Sequence, residues 1–421
     1  MQVKYVVAIA LALILGVVIG YLPPALGPKP VTTVTQVLTQ FNTVTSTVTT
    51  TVPMTIPVTI TSGVTMFTTV TTTTQSLTTI MLHTTLPTTV ITTVTVSWPR
   101  TVVDALGREV RFNEPPKRVV STTPSITEYL FALGLGNRVV GVDRYSNWPP
   151  DVLKLVNQSK IAVVGGPWSL DMEKIVSLKP DLVLMCRGIN PQETQFAPKL
   201  EEMGIKTLFL VCNAAKNQYD IFMDIRMLGR VFGVEQSAEV VVEGIQRKID
   251  EVVGKLINVT KKPRVLQLAG PPSWGLWSAG GDTFIGWLIK TAGGINIASQ
   301  YSGWPQLNYE YILSQNPEII IVTVMGMDPK RVIEEISHTP LANTTAWKTG
   351  RVYVLTGEAD DIISRPGPRI ADALTMIAQI IHPEVFGEVQ RNDVVKMSFV
   401  ETQLSTLAIP IKTVGVEVAE V

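Results

Sequence analysis

Residues 118–150 read RVVSTTPSITEYLFALGLGNRVVGVDRYSNWPP, and they decide the fold. Arg118-Val119-Val120 is a short β-branched run of the kind that fills a buried strand. Thr123-Pro124 follows at once, a threonine able to cap with a proline at the first helical position, where its missing N–H costs nothing. The helix so started covers residues 125–133 and stops at Gly134. A second apolar strand, Val139-Val140-Gly141-Val142, comes next. Strand, helix and strand in this order predict a right-handed parallel crossover. Tyr145-Ser146-Asn147-Trp148-Pro149-Pro150 then makes an aromatic loop at the carboxyl end of the second strand, where open parallel sheets place their ligands.

Working outward, Val163-Val164-Gly165-Gly166-Pro167-Trp168 precedes a helix over residues 171–178, and Lys179-Pro180-Asp181 leads into the strand Leu182-Val183-Leu184-Met185. With the phrase LDMEKIVSLKPDLVLM at residues 170–185, the stretch resembles the periplasmic-binding-protein domain of ABC importers for vitamin B12, haem and iron-siderophores. Within that family the likeness is greatest to the cobalamin-binding proteins. It runs from about Asp104, in a hairpin-like phrase that resembles the family's opening strand, to about Phe386. The resemblance implies an α/β fold of two Rossmann-like lobes with central parallel sheets, joined by one long backbone helix.

The chain divides accordingly. Residues 101–217 form the first lobe, with strands at 118–121, 139–142, 182–185 and 207–211. Residues 218–260 carry no proline, and Val234, Ala238, Val241, Val242, Ile245, Ile249, Val252, Val253 and Leu256 recur at spacings of three and four. That spacing marks one long amphipathic helix, with Gly233 as its weak point. A stiff connector of this kind limits hinge closure to small movements. The second lobe, residues 261–386, has strands at 263–268, 319–322 and 352–355 and a closing helix over 369–381. The tail at 387–421 has no assigned role.

Composition excludes several classes. Lys and Arg number 35 against 35 Asp and Glu, so the basic excess of a nucleic-acid binder is missing. No Gly-x-x-x-x-Gly-Lys-Ser/Thr phosphate loop and no Gly-x-Ser-x-Gly nucleophile turn occurs, so any ATP is hydrolysed by a partner. His83, His338 and His382 are scattered, which argues against a histidine metal cluster and against an enzyme. An enzyme of the nitrogenase type on the same scaffold would need cluster-ligating cysteines beyond Cys186 and Cys212. Those two each end an apolar run and could meet on neighbouring strands; a single disulfide and two buried thiols both remain open.

Residues 5–22 are uncharged and almost wholly apolar, and eighteen helical residues rise about 27 Å, close to a hydrocarbon core. No convincing cleavage site or lipid-attachment cysteine follows, so residues 1–22 are read as an uncleaved membrane anchor in preference to a signal peptide. Residues 23–100 are threonine-rich, and between Lys29 and Arg100 there is no Asp, Glu, Lys or Arg. This is read as a β-prone but unfolded extended stalk, reaching over ~200 Å at full stretch and suited to O-glycosylation. Asn157, Asn258 and Asn343 are Asn-x-Ser/Thr acceptors. The stalk alone would also suit a surface adhesin.

The resemblance carries site residues with it, matched motif to motif. For the ligand it implies Tyr145, Trp168, Cys186 and Arg187 from the first lobe, and Trp304, Asp361 and Arg365 from the second. Flat aromatic faces suit a large planar macrocycle, and polar side chains then fix its amide rim. Cys186 stands where the cobalamin binders carry a further tryptophan, and Trp168 is about one residue out of register. The plain alternative is that Tyr145 and Trp148 pack their own loop and that Asp361 and Arg365 make an ordinary surface pair. For the permease, Glu173 and Glu310 each sit in the first turn of a helix followed by a Pro-Asp or Pro-Glu strand lead, one per lobe. Helix-dipole capping explains either acid singly, but their pairing suggests an internal duplication. The family's glutamates dock on arginines of the membrane subunits. The expected whole is a membrane-tethered, outward-facing, non-enzymatic solute-binding protein. It would deliver cobalamin, or alternatively haem or an iron-siderophore, to an ABC permease with its ATPase.

Overall fold

The computed structural model describes residues 98–324 and 326–397, together with the backbone of strands Thr32–Thr39, Thr43–Thr50, Thr55–Met66 and Thr84–Thr95. In the threonine-rich tract Thr32–Thr39 pairs antiparallel with Thr43–Thr50, and Thr55–Met66 with Thr84–Thr95. The rest of that tract, the expected anchor at residues 1–22 and the end of the tail lie outside the described residues. No helix among the described residues is long and apolar enough to cross a membrane.

From Thr101 onward the chain is a separate compact unit with two cores, one per lobe. The first lobe holds five parallel strands in the order Thr207–Leu210, Leu182–Cys186, Val119–Ser121, Val139–Val142 and Ala162–Val163. Its first crossover joins parallel strands as expected, with Pro124–Ala132 as the helix and Thr123 in extended conformation before it. Buried Val120, Ile175, Val183, Met185, Leu200 and Phe209 fill the space between this sheet and its helices. The hairpin of Arg100–Val103 and Glu109–Phe112 is pinned by Asp104. This buried carboxylate accepts from the Arg108 guanidinium at 2.7 and 2.9 Å and from the backbone N–H groups of Leu106, Arg108 and Phe209.

The second lobe repeats the plan with Ile295–Asn296, Arg264–Ala269, Ile319–Thr323 and Val352–Leu355, all parallel. A fifth strand, Val394–Lys396, joins antiparallel at the edge beside Val352–Leu355. It comes from the segment after Phe386, to which the sequence assigned no role.

The connection between the lobes departs from the expected single helix. Two helices, Gln218–Phe232 and Glu235–Leu256, meet at Gly233, whose φ of 71° lies in the left-handed region that glycine tolerates. At the turn, Gly229 lies so close to Ala238 that an added Cβ would sit 2.7 Å from the alanine methyl. The first helix caps the first lobe, where buried Asp224 accepts from the N–H groups of Val211 and Cys212. The second buries Ala238, Val242, Ile245, Ile249 and Val252, and Lys248 pairs with Asp372 on the second-lobe helix Ile370–Ile381.

Candidate functional site

The first-lobe ligand candidates Tyr145, Trp168 and Arg187 follow the carboxyl ends of strands of the parallel sheet. Tyr145 follows strand Val139–Val142 and is half exposed at 52 %. Its loop is fixed by Asp143, which accepts from the Tyr145 N–H at 2.8 Å and from the Ser146 hydroxyl. Ser146 continues a buried hydroxyl chain through Thr127, at 2.7 Å, to Ser121, at 2.8 Å. Trp168 tips the small hairpin of Gly165–Gly166 and Ser169–Leu170 and is 62 % exposed. The hairpin lies against Tyr145, since an added Cβ at Gly166 would sit 3.7 Å from the tyrosine ring. Arg187 is exposed just beyond strand Leu182–Cys186, its N–H donating to the Leu210 carbonyl.

Cys186 is a correction. It is 1 % exposed and forms a disulfide with Cys212, with Cα atoms 5.4 Å apart. The bond ties the carboxyl ends of two neighbouring strands and settles the cysteine alternatives left open by spacing. A buried half-cystine offers no face to a ligand, so Cys186 braces the floor of the cleft rather than lining it.

Burial raises the Asp143 carboxyl to about 6, against the lowering effect of its Ser146 and Tyr145 hydrogen bonds and the Arg365 charge. The folded protein therefore holds this proton more tightly than the unfolded chain does. The contribution to stability is full below about pH 4 and falls as the pH rises to about 6. In Asp143→Asn that fall should shrink, as read by thermal unfolding between about pH 4 and 6.5. A slope identical to wild type would reassign the effect to other groups.

The second lobe answers with aromatic side chains on its own carboxyl-end loops. Trp304 is 49 % exposed, in a loop held by Asp282, which accepts from the Ser302 hydroxyl and the Gly303 N–H, both at 2.7 Å. These two donors hold the Asp282 carboxyl below its ordinary range. Trp274 and Trp277, which the sequence reading missed, are also about half exposed. They follow strand Arg264–Ala269, and a bridge between Trp277 and Gln306 sets Trp277 beside the Trp304 loop. Gly275, at φ 99°, allows that approach: an added Cβ would meet the Gln306 amide at 2.5 Å. The available signal was Pro271-Pro272 and Gly275 directly after a buried strand, a loop where ligand groups gather.

Asp361 and Arg365, at the end of helix Gly357–Ser364, do not form an ordinary surface pair. Arg365 donates to Asp361 at 2.6 Å and reaches the first lobe, bonding Asn147 Oδ1 at 2.6 Å and the Tyr145 carbonyl at 3.1 Å. Asn147 returns a bond to Asp361 at 2.8 Å. Behind this cluster Glu128 of the first lobe, 3 % exposed, accepts from Arg369 of the second at 2.5 and 2.9 Å. The Trp148 ring lies 4.7 Å from the Arg369 guanidinium, so it packs against the second lobe and not only within its own loop. A second crossing, Lys216 to Asp282 at 3.7 Å, joins the lobes near the Trp304 loop. These contacts bring Tyr145, Asp361 and Arg365 together across the lobes, while Trp168 and Arg187 lie at the carboxyl end of the first-lobe sheet and Trp304 on the Asp282 loop of the second.

Glu173 and Glu310 are both exposed at the second position of their helices, Met172–Ser177 and Tyr309–Gln315. The surroundings match bond for bond. Asp171 and Asn308 cap with side chains accepting from Lys174 N–H and Tyr311 N–H. Ser177 and Ser314 donate back to the carbonyls of Lys174 and Tyr311. Lys179 and Asn316 take the same left-handed conformation, φ 46° and 41°. Asp181 then accepts from the Arg118 N–H, and Glu318 from the Arg264 N–H. Capping alone predicts none of these later correspondences, so the two lobes are structural repeats with one acid on each rim.

Among the described residues no group of three or more His, Cys, Asp or Glu side chains could hold a metal ion. His382 is buried against Glu384 and the Gly293 carbonyl, and His338 ends a surface helix.

Known proteins share this design. A family model described as periplasmic binding protein matches residues 119–359, more than half of the chain. An ABC transporter substrate-binding lipoprotein of Bacillus subtilis is 30% identical over 295 residues, 70% of this chain and 89% of that protein. A vitamin B12-binding protein of Photorhabdus laumondii is 29% identical over 265 residues, 63% of this chain and 87% of that protein. The apo structure of a periplasmic haem-binding protein from Roseiflexus superposes with a TM-score of 0.56 at 26% identity, covering 64% of this chain and 99% of that one. Two α/β lobes with a cleft between their sheet ends, a repeated acidic rim and this coverage agree: the chain belongs to the periplasmic binding protein family, the substrate-binding components of ABC importers.

Proposed function

We propose that the cleft captures a cobalamin and that the protein, displayed outside the cell on its N-terminal segment and threonine-rich tract, hands it to an ABC permease. One observation carries the reading. Half-exposed rings sit on carboxyl-end loops of both lobes, Tyr145 and Trp168 on one and Trp274, Trp277 and Trp304 on the other, and the Asp361–Arg365–Asn147 cluster bridges the lobes beside Tyr145. Rings supply broad apolar contact at low entropic cost, and the polar cluster offers donors and acceptors to an amide-rimmed macrocycle. Haem is the second reading, favoured by the half-exposed Tyr145 phenol, a possible iron ligand. Calorimetry of the protein from residue 100 onward against cyanocobalamin, haem and a hydroxamate siderophore separates these readings. Binding of haem alone, or of the siderophore alone, would replace the cobalamin assignment.

On this reading Glu173 and Glu310 dock on arginines of the permease. Their carboxylates stand clear of the cleft contacts described above, so Glu173→Ala with Glu310→Ala should abolish uptake by the assembled transporter while cyanocobalamin affinity stays within about twofold. Lost affinity with uptake limited only by loading would place these acids in the ligand site instead.

A further inference from the structure

We infer that Gln192 is the positioning residue that holds Trp168 at the cleft; the ligand part of this inference rests on reading Trp168 as a ligand contact. Gln192 is fully buried and opens a π-helical stretch, Gln192–Phe196, a geometry that recurs at functional sites. Its carboxamide joins three separate elements. Oε1 accepts from the Cys186 N–H at 2.9 Å, at the end of strand Leu182–Cys186, and lies 3.0 Å from the Thr122 hydroxyl just past strand Val119–Ser121. Nε2 donates to the Pro167 carbonyl at 2.9 Å, the residue immediately before Trp168.

The orientation of the amide is forced. A backbone N–H can only donate and a backbone carbonyl only accept, so a flipped carboxamide would oppose like to like at both ends. The Trp168 hairpin is short, two residues on each strand, and its tryptophan is largely exposed, so the ring has little packing of its own to hold it. The tether through Pro167 is thus a fixed point tying this loop to the central strands. Removing it leaves a buried carbonyl and a buried N–H unpaired, and the loop is then free to trade that pairing for water.

Three measurements on the full chain test this. In Gln192→Leu, hydrogen exchange of residues 164–170 should rise without ligand, while exchange of strand Ile319–Thr323 in the other lobe stays unchanged. Cyanocobalamin affinity should weaken about tenfold, and Gln192→Leu should add nothing in a Trp168→Ala background. Gln192→Glu should bind weakly at pH 8 and recover toward wild type near pH 5, because a protonated carboxyl restores both a donor for Pro167 and an acceptor for Cys186. Unchanged exchange at residues 164–170, or losses that add fully in the double variant, would overturn the inference. If Trp168→Ala leaves cyanocobalamin binding intact, the ligand contact fails, and the exchange result alone then decides whether Gln192 is the tether.

Discussion

Glu128→Ala is expected to lower the unfolding free energy by about 3–5 kcal/mol, because it strands a buried arginine. Glu128 and Arg369 come from different lobes, their side chains are 2% and 9% exposed, and they meet through two hydrogen bonds. Arg365 approaches the same carboxylate at 3.5 Å, and the Tyr129 hydroxyl donates to the Pro366 carbonyl close by. Truncating the acid leaves Arg369 with Glu358, a more exposed partner, so the charge is left poorly compensated where the lobes touch. Replacing both partners, Glu128→Leu with Arg369→Met, should return much of the loss, since apolar pairs of similar volume often match a buried ion pair. Urea denaturation followed by circular dichroism reads both effects. A loss under about 1 kcal/mol in the single variant would mean that the linking helices alone fix the lobes.

Trp304→Ala should weaken cyanocobalamin binding about 100-fold, the range expected of a central aromatic anchor. The ring is half exposed, and its loop is held by backbone and Asp282 contacts that do not involve the indole, so the melting temperature should barely move. That separation makes the result interpretable: affinity is lost through missing contact area and not through a misfolded loop. Trp277, beside the same loop, should show a smaller loss if it supports the ligand's edge. A dissociation constant within twofold of wild type for Trp304→Ala would remove the second lobe from the aromatic part of the site.

The parts of this molecule legible from sequence are those where local chemistry and tertiary demand agree. Pro124 and Gly134 bracket a helix, β-branched runs flank it, and the first-lobe crossover forms where those residues place it. The weak point marked at Gly233 is where the linker divides into two helices, but periodicity alone cannot report that this glycine turns left-handed. Cys186 matched a ligand position by motif, but its neighbour Cys212 lies 26 residues away, and only strand order brings the two sulfurs together. Trp274 and Trp277 sit in a segment of 3₁₀ turn and bridge with no period to detect. The cross-lobe bonds of Arg365 depend on how two separately folded halves meet, which no short window encodes.

The small strand Val394–Lys396 has a practical meaning. Without it, Val352–Leu355 would become the outermost member of its sheet, presenting a row of unsatisfied amides and carbonyls next to buried Val354 and Leu355. Such a border invites a neighbouring molecule to zip on, and nature usually blunts it with charge or covers it. Here the cover is supplied by the polypeptide's own late residues, with Lys396 adding a positive group over the Tyr353 ring at 5.7 Å. Those few residues act as a hem that satisfies the backbone groups of Val352–Leu355 on that side.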